Sequence, residues 1–338
     1  MIDTILCVNN EISSVMAQGA LKEKGIGLDR VAVIVMRKLD APWLDQCTMR
    51  VDYGVKPSFR ISGQLRLIGY FRRASRMIRQ LLATGNIRHV LLVNNDNVLN
   101  NHFFSVASAH PEMEISVLAE GIMNFQDIQM KNRDWWRTAV KPVFARILGL
   151  SWREPTRHVS GSLEPETRHV YTFAAHGVVA PPEKIRLIKF PEADREVVPD
   201  PGAAVIAMTG LHLWMTEANY AEFAQRFISW KKTLPFTKYY VKRHPRATDG
   251  PLFHELADCE VIGEGQSIED MAGSMPGSTV IGFCCTGLVT LSLMRPDIRC
   301  LDFGSDFYCD AAYFGDRSVE RLLEGSGVEL ISSAPFAN

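Results

Sequence analysis

The chain has no C-x-x-C pair, and its cysteine count, seven, is odd. That pattern disfavours both a disulfide framework and a structural zinc site. Several of the cysteines sit in apolar runs, "TILCV", "IGFCCTG" and "IRCLDF", where cysteine behaves as a small buried hydrophobe. This usage fits a reducing compartment. No run approaches the ~18 apolar residues of a membrane span. The opening "MIDTILCVNNE" has neither the basic start nor the long apolar stretch of a signal peptide. These absences predict a cytoplasmic protein, peripheral to the inner membrane at most. There is no G-x-G-x-x-G, Walker loop, H-E-x-x-H or Asp-x-Asp either. The common dinucleotide and metal chemistries are therefore disfavoured, and no metal or other cofactor is expected.

What is present is ordinary globular composition, 46% hydrophobic and 22% charged over 338 residues, enough for two domains or one large one. Charge is unevenly spread. Residues 1–170 carry 22 Lys/Arg against 16 Asp/Glu, and residues 171–338 carry 15 against 22. The basic front half suits an anionic partner or surface, or is accidental surface composition.

Short apolar runs alternate with longer helical patterns. In the first half the strand candidates are "TILCVN" (4–9), "VAVIVM" (31–36), "HVLLVN" (89–94) and "EISVLAE" (114–120). Helices are predicted over 13–25 and 63–85, the second from the spacing of Leu67, Phe71, Met77 and Leu81. The second half repeats the theme, with strands over 203–210, 236–242, 278–284 and 297–304 and a helix over 216–233. Apolar strands separated by helices read as parallel sheets in α/β layers. The joint is expected in the proline-rich "KFPEADREVVPDPG" (189–202). That gives domains over 1–190 and 203–338, with a linker of about 190–202.

Residues 131–157 hold seven Lys/Arg, two acids and three Trp. Trp136, Val140, Phe144, Ile147 and Leu148 are expected on one helical face. A basic, Trp-rich amphipathic helix suits an anionic membrane surface or acceptor, or packs on its own domain.

In α/β sheets ligands gather at the carboxyl ends of strands. Glu120 and Gly121 follow the strand at 114–118, and Thr209 and Gly210 follow that at 203–208. Lys242, Arg243, His244 and Pro245 end the strand that starts near 236. Cys284, Cys285 and Thr286 stand between a strand and a helix. Small residues opening a helix expose backbone N–H groups to phosphate. Lys242 and His244 add cationic or N–H donors, Thr286 a hydroxyl, and Glu269 an acceptor for ribose hydroxyls. Each fragment alone also has a structural reading, as a turn, a charged loop or tight packing.

In order and spacing, "AEG" (119–121), "KRHP" (242–245) and "CT" (285–286) resemble the three short motifs of the bacterial GT-B sialyltransferases, the lipooligosaccharide sialyltransferases and capsule polysialyltransferases. The resemblance covers roughly residues 115–304 as scattered motifs. It implies two Rossmann-like α/β domains facing across a cleft, an N-terminal acceptor-side domain carrying the base and a C-terminal domain binding a CMP-activated donor. It also implies inverting, metal-independent transfer of sialic acid or a related nonulosonic acid to a lipooligosaccharide- or capsule-like glycan. Glu120 and His244 would be catalytic. Gly121, Thr209, Gly210, Lys242, Pro245, Glu269, Cys285 and Thr286 would bind substrate. Two positions depart from the pattern. Ala119 stands where the family holds its base, leaving Glu120 or Asp127 for that role, and Cys285 replaces a serine. The alternatives are a GT-B transferase using CMP-Kdo or a UDP-sugar, and an inactive nucleotide- or glycan-binding relative. Nucleic-acid binding is not expected, because the basic residues do not interleave with a reading motif.

Overall fold

A strand buried on both faces of a parallel sheet is apolar at every position. The segments β1 (Thr4–Val8) and β2 (Val31–Val35) meet that condition at every position but Thr4, with all ten residues buried. The computed structural model describes residues 1–338 except 38, 40, 54–60, 122–123, 126–134, 156, 175–176, 212–214, 245–250, 308–317 and 337–338. The chain divides into two units, Met1–Lys189 and Phe190–Asn338.

In the first unit β1, β2, β3 (Met49–Asp52), β4 (His89–Leu92), β5 (Glu114–Leu118), β6 (Thr167–Thr172) and β7 (Ile185–Leu187) form one sheet, in the order β3-β2-β1-β4-β5-β6-β7. Every pairing in it is parallel. The helices are α1 (Glu11–Glu23), α2 (Ile61–Ala83), α3 (Val98–Val106) and α4 (Trp135–Ile147). Asn10 caps α1, three residues before the start expected from the sequence. Its side chain accepts from the Ser13 N–H while the Ser13 hydroxyl reaches back, a reciprocal capping box. Met77, Ile78 and Leu81 of α2 join Ile5, Ile34, Val90 and Leu92 in the core. The apolar positions expected at Leu67 and Phe71 pack against it.

The second unit holds β8 (Asp200–Ala207), α5 (Glu217–Lys231), β9 (Lys238–Lys242), α6 (Pro251–His254), β10 (Glu260–Ile262), β11 (Gly277–Gly282), α7 (Thr286–Met294), β12 (Arg299–Phe303), α8 (Ser318–Gly325) and β13 (Glu329–Ile331). Its order, β10-β9-β8-β11-β12-β13, is again all parallel. Phe223, Phe227 and Trp230 of α5 pack on Phe283 and Phe303, with ring centroids 4.8–5.8 Å apart. Thr216 caps α5 through its hydroxyl, in keeping with the helix start read from the sequence.

Several sequence expectations need correction. Apart from β9, which ends at Lys242 as expected, the strands stop one to three residues earlier than the apolar runs suggest, so Asn9, Asn94, Glu120, Thr209 and Gly210 lie beyond the ladders. β8 begins at Asp200, inside the stretch read as linker. β3, β6, β7, β10 and β13 were not expected. Four of them are sheet edges, where one side needs no covering layer and the sequence mixes charge with apolar residues. The single apolar face expected for the Trp-rich helix is also wrong. Phe144 and Leu148 turn to the core, while Val140, Val143 and Ile147 are exposed. Trp136 sits in α4, and its side chain lies outside the described residues.

Candidate active site

In the order β3-β2-β1-β4-β5 the chain leaves β1 and β4 toward opposite edges of the sheet, which opens a crevice at their carboxyl ends. Glu120 lies at that edge, two residues past β5. The backbone of Ala119 still bonds the sheet, donating to Tyr171 O at 2.8 Å. Past Glu120 the chain turns at Gly121, whose φ of +148° suits a residue without a Cβ.

Four asparagines hold Glu120. Asn9, after β1, donates its side-chain amide to Glu120 Oε2. Asn94, after β4, donates to Oε1 at 3.3 Å. Asn10 Nδ2 donates to the Glu120 carbonyl at 2.6 Å, while its Oδ1 caps α1. The Glu120 N–H donates to Asn124 Oδ1 at 2.9 Å. The carboxylate is thus fixed to the ends of β1 and β4, at the switch in strand order. Burial raises its pKa above the ordinary glutamate value. The Asn9 bond, the charge of Arg37 and the Asn94 bond oppose that rise, and Asp96 adds to it. A half-buried carboxylate with raised basicity and an oriented face is suited to accept a proton.

In the second unit the corresponding switch lies between β8 and β11. Thr209 is buried there, and its hydroxyl donates to Phe283 O at 2.9 Å, clasping the two strand ends together. Gly210 follows it, also buried. Between β11 and α7, Cys284 adopts φ of +50°, the left-handed conformation that costs a side-chain-bearing residue free energy. The buried carboxylate of Asp302, on β12, accepts the Cys284 N–H at 2.7 Å and secures the turn. The turn delivers Cys285 to the N-cap of α7 and Thr286 to its first position. The Leu288 N–H closes the first turn onto Cys285 O at 3.0 Å, and the Gly287 and Leu288 N–H groups also face the Cys285 thiol. Burial pushes the Cys285 thiol up to about 11, with Glu269 adding to the effect. It is a neutral thiol at pH 7.

Lys242 ends β9. It is buried, and its ammonium donates to Arg243 O at 3.0 Å. Burial lowers its pKa, against the pull of Cys285, Glu269 and Asp270. Of those three, Cys285 belongs to the start of α7. Gly263 makes room for Lys242, since a Cβ there would stand 3.3 Å from Lys242 Cδ and collide with Met271. Arg243 is exposed and His244 half-buried. Glu269 Oε1 accepts the Thr290 hydroxyl at 2.5 Å, so one of its oxygens already serves α7. Pro245 and Asp127 lie outside the described residues.

Within the first unit, then, the structure groups Glu120 and Gly121. Within the second it groups Thr209, Gly210, Lys242, Glu269, Cys285 and Thr286 around one strand-end region. Sequence reasoning missed Asn9, Asn10, Asn94, Asn124 and Asp302. A signal for the first three exists. "VNNE" (8–11) and "VNND" (93–96) repeat one pattern at two strand ends. Among the described residues no group of three His, Cys, Asp or Glu is arranged to hold a metal ion.

No protein-family model matches the chain, and no curated protein matches it. Solved structures do. One described as a UDP-N-acetylglucosamine 2-epimerase from Listeria monocytogenes aligns over 98% of this chain and 85% of its own, at 11% identity and a TM-score of 0.53. UGT89C1 of Arabidopsis thaliana, complexed with UDP-L-rhamnose, aligns over 100% and 88%, at 10% identity and 0.49. MurG of Acinetobacter baumannii aligns over 98% and 87%, at 8% identity and 0.45. At such identities the likeness concerns the fold, which is of the GT-B type, with two Rossmann-like α/β units.

Proposed function

We propose that the protein is a glycosyltransferase drawing on a nucleotide-activated sugar. The observation that carries this reading is the Glu120 carboxylate, held by Asn9 and Asn94 at the strand-order switch of the first unit. Glu120 deprotonates the acceptor hydroxyl as it attacks the anomeric carbon, a step for which a positioned base contributes roughly 10²–10⁴-fold. The first unit serves the acceptor and the second the donor. As the glycosidic bond to phosphate breaks, charge grows on the leaving oxygen. The N–H groups opening α7, the Thr286 hydroxyl, Lys242 and His244 stabilise it. A single displacement of this kind inverts the anomeric centre, and cationic side chains at the leaving phosphate make the transfer metal-independent.

A UDP-sugar is the donor better supported, because the structural neighbour with the higher TM-score is a protein named for a UDP-sugar. A CMP-nonulosonate donor is the second reading. It rests on the order of Glu120-Gly121, Lys242-Arg243-His244-Pro245 and Cys285-Thr286 along the chain.

Thermal shift with UDP, CMP and GDP tests the donor class, since a ligand that binds only the folded state raises the melting temperature. UDP is expected to stabilise most. Stabilisation by CMP alone assigns the second reading, and none by either rejects both. Turnover assays with UDP-sugars and CMP-sugars follow. Nucleotide release that requires a glycan acceptor supports transfer. Conversion of a UDP-sugar without an acceptor, or binding without turnover, overturns it.

A further inference from the structure

The first unit carries a surface that the sugar chemistry does not use. The sequences of α2 and α4 together contain eight Lys/Arg and no Asp or Glu. Both helices bury one face in the same core. Tyr70, Ala74, Met77, Ile78 and Leu81 of α2 turn inward, as do Ala145 and Leu148 near the end of α4. The helices meet where Phe71 and Phe144 pack edge to face, 5.2 Å apart. The Arg79 guanidinium lies against Gly149, just past the end of α4.

The outward faces complement each other. On α4, Val140, Val143 and Ile147 are 60%, 60% and 70% exposed. Val140 and Ile147 stand four residues before and three after Phe144, so they follow the helix edge that adjoins α2. On α2, Ile68 is exposed three residues before Phe71. Arg72, Arg73, Arg76 and Arg79 are exposed along the rest of that helix, and Arg146 is exposed on α4. None of these five arginines pairs with a carboxylate among the described residues.

We infer that the α2–α4 face docks on an anionic lipid bilayer. An interfacial site combines an apolar stripe, which enters the acyl boundary, with cations beside it that meet lipid phosphates. Here both are present on one face, and the five exposed arginines pair with no carboxylate among the described residues. A second copy of this chain is the poorer occupant. A symmetric contact would set one arginine row against another. The anchor holds the strand-end edge close to the lipid, because Lys141 of α4 pairs with Asp96, two residues past Asn94.

Co-sedimentation of the full chain with vesicles tests this. Phosphatidylcholine vesicles containing about a third phosphatidylglycerol are compared with phosphatidylcholine alone. The protein is expected to bind the anionic vesicles, and more weakly as salt rises. Each of R72Q, R76Q and R79Q should weaken binding about fivefold. The surface double variant V140S/I147S should weaken it at least tenfold, with an unchanged thermal melt showing that it is folded. Failure to bind anionic vesicles at low salt overturns the inference. So does equal binding to neutral vesicles, or wild-type binding by these variants. Concentration-dependent self-association that V140S/I147S abolishes, without lipid binding, would assign the face to a second copy. Vesicle binding needs no sugar turnover, so it stands or falls apart from the proposed activity.

Discussion

The side-chain amide of Asn9 donates to the carboxylate of Glu120, although 111 positions separate them in sequence. Asn9 follows the first strand of the first unit, and Asn10 beside it holds the Glu120 carbonyl. Orientation of the carboxylate and closure of that sheet edge are therefore one piece of structure.

Glu120→Gln is expected to lower turnover at least ~100-fold while nucleotide binding persists. Its stability effect has a definite sign. The folded-state pKa of Glu120 is raised by burial. The carboxyl's contribution to stability is thus fully present below the unfolded pKa and is lost as pH rises through the folded one. The glutamine variant escapes that loss. Its melting temperature relative to wild type should be higher at pH 8 than at pH 5. A flat difference across that range would rule out the raised pKa.

Asn9→Ala removes a donor to the ionised form of Glu120, which lets the carboxyl pKa climb further. The acidic limb of the kcat/KM profile should move to higher pH, with the plateau reduced. A limb that stays in place means that Glu120 does not titrate in the rate-determining step.

His244→Ala should lose roughly 100-fold or more in rate if the imidazole meets the leaving phosphate. Calorimetry with the nucleotide separates lost binding from lost catalysis. Near-normal turnover would remove His244 from the mechanism.

Lys242→Met is expected to weaken nucleotide binding at least tenfold, through loss of a cation at the end of β9. Burial lowers the folded-state pKa of Lys242. The ligand-free stability contribution of that lysine is therefore present above its unfolded pKa and lost as pH falls through the folded one. The methionine variant without ligand should melt no lower than wild type at pH 7. A lower melting point would show that Lys242 is chiefly structural.

Asp302→Ala leaves the Cys284 N–H without its carboxylate partner in a buried turn. An orphaned buried donor costs about 1–3 kcal/mol, and the left-handed turn at Cys284 loses its brace. Chemical denaturation should report that loss, and nucleotide affinity should fall with it. Unchanged stability would mean that another group takes over the N–H.

The fold class was legible because central parallel strands are written as unbroken apolar runs. "TILCV" and "VAVIV" are buried throughout. The edge strands were not. "MRVD" and "EVI" carry charge at positions that need no cover. Glu120, Lys242 and Thr286 could be picked out because they follow strands. The asparagines that orient Glu120 escaped notice, since an amide after a strand has no spacing that separates it from a turn residue. Only the pairing of Val8–Glu11 with Val93–Asp96 would have raised them. For α4, periodicity marked an amphipathic helix but could not tell a face turned to the core from one turned to solvent. Val140 and Phe144 are equally apolar and only the packing of Phe71 separates them.

All seven strands of the first sheet come from residues 1–189, and all six of the second from residues 190–338. Among the described residues no strand is lent from one unit to the other. During synthesis the first unit can finish its sheet before the second has left the ribosome, as domains that fold in order of appearance do. Neither sheet waits for a distant partner strand, so the loop-closure cost of long-range pairing stays confined to each half. A gene cut near codon 190 should accordingly yield two pieces that fold separately.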